Sequence, residues 1–140
     1  MASQTARAAI RTFLDAQRSG GNISASLAYE NEGGDRPADG PWVFIRFQGL
    51  FYEQASIGAG APTANRWTED GSVMAHVRVP SGSGTTAAAT IAEQIAELFR
   101  GLWLQPSNIV FDTISIGDGE MADEDGNFWQ ITLRAEWRRG

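Results

Sequence analysis

The chain has 140 residues, 42% of them hydrophobic, no cysteine and a formal net charge of −6. That size predicts one domain over residues 1–140 with enough apolar content for a core. The acidity argues against a surface built to grip nucleic-acid phosphates. The missing cysteines exclude disulfides, thiolate metal sites and cysteine nucleophiles. Every basic side chain is arginine, so Schiff-base and P-loop lysine chemistry are excluded as well. The N-terminus shows no long apolar run, and neither a signal peptide nor a membrane span is expected.

Residues Gln4 to Arg18 predict an amphipathic helix. Ala6, Ala9, Ile10, Phe13 and Leu14 recur at helical spacing, Ser3 can cap the start, and Gly20 and Gly21 can stop it. A short strand is expected around Ile23 to Glu30, then a loop from Asn31 to Pro41. Trp42 to Gly49 predicts a strand with Val43, Ile45 and Phe47 on one face and Trp42, Phe44, Arg46 and Gln48 on the other. Aromatics on both faces suggest that one face meets a neighbouring subunit. Leu50 to Ile57 reads as a continuation or a bend. Gly58 to Asn65 reads as a loop and Thr68 to Gly71 as a turn.

Ser72 to Val79 predicts another strand, ended by Pro80, which has no N–H for a ladder. Ser81, Gly82, Ser83 and Gly84 then link it to a helix from Thr85 to Arg100. Ala88, Ile91, Ala92, Ile95, Leu98 and Phe99 form its apolar stripe, and Gly101 can end it in a left-handed cap. Leu102 to Pro106 reads as an apolar connection and Ile109 to Ile116 as a strand. Gly117 to Asn127 reads as an acidic turn, and Phe128 to Trp137 as a closing strand with strict alternation. Two helices among runs of strands predict an α+β fold, a mainly antiparallel sheet with two principal helices packed on one face.

The candidate sites are weak as chemistry. The glycine turn before the second helix is open to a phosphate reading, but Thr85 stands where a P-loop needs lysine. A strand-to-helix joint fits better. His76 is the single histidine and has no nearby set of metal-ligand partners in the sequence. Asp118, Glu120, Asp123, Glu124 and Asp125 cluster without the spacing of a calcium loop. No catalytic, cofactor-binding or metal-ligating set emerges, and no enzyme activity is expected.

The order of elements resembles the tail terminator, or tail-completion, proteins of long-tailed phages and gene transfer agents. The resemblance runs through the N-terminal helix, the strand Trp42 to Phe47, the segment Glu53 to Gly58 and the pair Arg66 and Trp67. It continues through the strand Val73 to Val79, the Pro80–Gly84 turn, the helix ending Ala96 to Arg100 and the strand Phe128 to Trp137.

The resemblance implies a virion structural protein, assembled in the bacterial cytoplasm. Such proteins form a homohexameric ring that caps the tail tube, ends its polymerisation and docks the head. Its implied partners are the major tail tube protein and a head-completion or connector protein. DNA passes through the ring without sequence-specific binding, and no membrane or cofactor is involved. Trp42, Phe44, Arg46, Arg66 and Trp67 are the candidate subunit interface. Asp118, Glu120, Asp123, Glu124 and Asp125 form the candidate acidic loop facing the lumen, where they would repel DNA phosphates. The alternatives are another connector or stopper component, or a small ligand-binding α+β domain using Arg46, His76 and Arg78.

Overall fold

A computed structural model describes residues 3–32, 40–54, 56–58, 60, 67–121 and 127–140. The fold is α+β. Helix α1 spans Gln4–Ser19, strand β1 Ser26–Tyr29, β2 Trp42–Gln54 and β3 Trp67–Pro80. Helix α2 spans Thr86–Phe99, and β4 (Trp103–Leu104), β5 (Ile109–Met121) and β6 (Phe128–Arg139) follow. The strands form a mainly antiparallel sheet ordered β1-β2-β3-β6-β5-β4, in which β1 runs parallel to β2.

Local chemistry sets the helix ends. The Ser3 hydroxyl accepts a hydrogen bond from the Ala6 amide at 3.2 Å, satisfying one of the free donors of the first turn. At the far end the Gly20 amide donates to the Ala16 carbonyl, and Gly21 takes φ 81°, turning the chain away. Ala6, Ile10 and Leu14 form the buried stripe of α1. Thr85 occupies the N-cap position of α2 without a side-chain cap bond. Gly101, at φ 72°, follows the helix as the sequence predicts.

Strand β2 takes the first of the two courses open after Gly49, passing through a bulge between Gly49 and Phe51 and continuing to Gln54. Three segments differ from the sequence reading. Thr68 to Gly71 is not a turn but the first part of β3. Its carboxylates look like turn residues in isolation, yet Asp70 sits opposite Arg138 and Glu69 opposite Arg139. Arg138 Nε donates to Asp70 at 2.8 Å, and Arg139 lies 3.5 Å from Glu69. Glu69, 3% exposed, also accepts from the Ser3 amide and hydroxyl at 2.8 Å each. Burial of a carboxylate is tolerated because several donors converge on it.

The second difference is at Gly117 to Met121, which belongs to β5. Glu120 pairs with Gln130 and Met121 with Trp129, after a register shift between Ile116 and Gly119. β5 and β6 pair antiparallel from Ile109 to Met121, a longer ladder than the composition of this stretch suggests. Leu102 to Pro106 likewise contains the two-residue strand β4.

Buried residues of both helices share one core with the strands. Ile10 and Leu14 of α1 and Ile91, Ile95 and Phe99 of α2 join Val43, Ile45, Val73, Val77, Leu133 and Trp137. These strand residues occupy alternate positions, and the intervening ones point to the other side of the sheet. No helix among the described residues is long and apolar enough to cross a membrane.

Candidate interaction surface

The alternate positions of β2, β3 and β6 build the second face of the sheet. Trp42, Phe44, Arg46 and Gln48 of β2 stand opposite Arg78, His76, Met74 and Ser72 of β3. Those in turn stand opposite Gln130, Thr132, Arg134 and Glu136 of β6. Antiparallel register, which no local sequence signal encodes, is what assembles these side chains.

One end of this face is aromatic and cationic. The Arg78 guanidinium lies 5.0 Å from the Trp42 ring centroid and 5.5 Å from that of Phe44. Stacking over both rings shields the charge while the ring faces stabilise it. Arg78 Nε donates to Gln130 at 3.0 Å, and Gln130 donates onward to Glu120 at 3.0 Å. Phe128 meets Trp42 edge-on at 5.9 Å. Trp42 is therefore buried within its own chain, at 5% exposure. Its neighbours Phe44, half-buried, and Arg46, exposed, carry the surface.

His76 lies at the centre. One ring nitrogen, Nδ1, is 2.8 Å from the Thr132 hydroxyl, and the ring is 6.1 Å from Phe44. The Nε2 atom, the Arg134 Nε and the Ser72 hydroxyl are buried with no hydrogen-bond partner among the described residues. Burial lowers the His76 pKa first. The positive charges of Arg78 and Arg46 lower it further, and Glu120 opposes them. The unfolded chain then binds this proton more readily than the folded one. Stability is full above the ordinary histidine pKa of about 6.5 and is lost as pH falls below it toward the depressed folded value. Because this is the only histidine, a proton NMR titration reads it without ambiguity. The expected midpoint lies below the ordinary value, and a midpoint at or above it would contradict this arrangement.

The structure thus brings Trp42, Phe44 and Arg46 together, along with His76 and Arg78. It does not bring Trp67 to them. Trp67 pairs with Gln54 at the other end of the β2–β3 ladder, roughly 40 Å away along the strands. It is 42% exposed, near exposed Tyr52. Arg66 lies outside the described residues. In the acidic group, Asp118 and Glu120 are exposed on β5, whereas Asp123, Glu124 and Asp125 lie outside the described residues. The sequence reading missed Gln130 and Thr132, whose polar character reads as ordinary strand alternation until the cross-strand partners are known. Among the described residues no group of three His, Asp or Glu side chains could hold a metal ion.

Comparison with known proteins agrees with this architecture. One solved chain is similar with a TM-score of 0.71 at 19% sequence identity, over 100% of this chain and 96% of that one. At that identity the likeness establishes the fold. No curated protein matches the sequence. A family profile described as phage tail terminator protein matches residues 6–137. That match covers nearly every element from α1 to β6, and the chain belongs to the phage tail terminator family, whose members are structural components of phage tails.

Proposed function

We propose that this chain, working as one unit over its whole length, caps the tail tube as a homohexameric ring. The ring ends tube polymerisation and offers the docking face for the head. The observation that carries this reading is the family match across residues 6–137.

In this reading both helices cover a single face of the sheet and the second face is free for assembly. The apolar and cationic side chains Phe44, Met74 and Arg46 there suit a subunit contact, and Trp67 and Arg66 are further candidates for it. The acidic group Asp118, Glu120, Asp123, Glu124 and Asp125 borders the channel. Its carboxylates repel phosphates, so DNA slides past without sequence-specific binding. The partners are the major tail tube protein below and a head-completion or connector protein above. Assembly takes place in the bacterial cytoplasm, and the protein performs no catalysis.

The test is electron microscopy of particles made without this protein. Overlong tails or heads left unjoined are the expected result, and particles of normal length and assembly would rule the reading out.

A further inference from the structure

Both lateral sides of the sheet are incompletely covered, β2 being paired by β1 only from Trp42 to Ile45. On one side β4 pairs with β5 only at Ile109 and Val110, and the Phe111 amide donates to Leu102. From Asp112 to Met121 no strand pairs with that side of β5 among the described residues. This stretch is exposed almost throughout and carries Asp112, Asp118 and Glu120. It also carries large apolar groups at the surface, Ile116 at 45% and Met121 at 51% exposure.

An unpaired strand of this length is a template for association. Its carboxylates decide with what. Two β5 edges brought together would set acid against acid, so a two-fold contact of β5 with itself is disfavoured. Asp118 makes no ion pair among the described residues, so its charge is free to meet a cationic surface.

The opposite side of the same sheet supplies one. Arg46 on β2 is exposed, forms no ion pair among the described residues, and stands beside half-buried Phe44 and Met74. In the strand order, β2 is second from one edge and β5 second from the other, roughly 14 Å apart. Complementary patches on opposite sides of one subunit give a head-to-tail contact, in which each copy uses one patch of each kind.

We propose that β5 of one copy docks on the β2 side of a second copy, with Asp118 and its neighbouring carboxylates set against Arg46. The inference rests on the ring reading and names its contact surfaces. It also explains why the acidic side chains can lie both at the subunit boundary and beside the channel.

The test is charge reversal with rescue, read by sedimentation velocity on the full chain up to millimolar concentration. Arg46→Glu and Asp118→Arg are each expected to weaken self-association roughly tenfold, and the two reversals combined should restore it. Arg18→Glu on α1, an exposed charge away from both patches, should leave association unchanged. Both test positions are exposed, and circular dichroism checks that the variants fold. If the wild-type chain associates and the single reversals do not alter it, these surfaces are wrong while the ring stands. If the wild-type chain stays monomeric throughout, this contact is overturned, while the ring reading is decided by the tail lengths and head joining seen in electron microscopy.

Discussion

Gly71→Ala is expected to lower stability by about 3 kcal/mol and the melting temperature by about 10 °C. Gly71 faces Trp137 directly across the β3–β6 ladder. The indole lies over the glycine so closely that an added Cβ would sit 2.4 Å from its Cζ2 atom. The ring cannot swing away, because Trp137 is only 2% exposed and belongs to the core. Gly49 is the next residue across the sheet, at the edge of the β2 bulge. The missing side chains of two glycines thus leave a shallow trough beside one large ring. Thermal or urea denaturation of the variant is the measurement. A melting temperature within a degree or two of the parent would show that the ring has room the structure does not give it. By contrast Gly119, beside half-buried Trp129 on the exposed end of β5, should tolerate alanine better, since that ring can move toward solvent.

Phe99→Ala is expected to be as damaging or more, about 3–5 kcal/mol. Phe99 closes α2, is fully buried, and its ring lies 4.7 Å from Phe111 of β5 and 6.0 Å from Phe13 of α1. It is the side chain through which both helices and the outer part of the sheet meet. Removing it leaves a cavity bounded by three elements that cannot collapse together without moving a helix. The outcome to look for is a fall in denaturant midpoint with little change in slope. A Phe99→Leu variant should recover most of the loss, which separates cavity size from any special need for an aromatic ring.

Both positions bear on what the sequence could reveal. The stripe ending in Phe99 is plain from helical spacing, and the alternation of Phe128 to Trp137 from strand spacing. Each rests on a local period that the chain repeats several times. Thr68 to Gly71 and Gly117 to Met121 fail for the same reason that these succeed. Their glycines and carboxylates obey local turn preferences, while their strand conformation depends on β6, up to seventy residues away. The pairing of Arg138 with Asp70 and Arg139 with Glu69 is a tertiary fact that overrides propensity.

The candidate surface divides along the same line. Trp42, Phe44 and Arg46 could be placed on one face from their spacing within a single strand. That Trp42 is buried beneath Arg78 and against Phe128, leaving Phe44 and Arg46 outward, follows from the register of three strands. Trp67 lies at the far end of the β2–β3 ladder, and alternation along β3 puts it on the side of Val73 and Val77, opposite to that of Trp42.

The Glu69 carboxylate holds Ser3 at the start of α1 and approaches Arg139 at the end of β6. Residues 3 and 139 therefore share a corner of the folded molecule. A donor dye near one and an acceptor near the other would give efficient energy transfer only while α1 remains docked and β6 paired. A single optical signal could then follow folding during ring assembly, with both labels emerging from the same place.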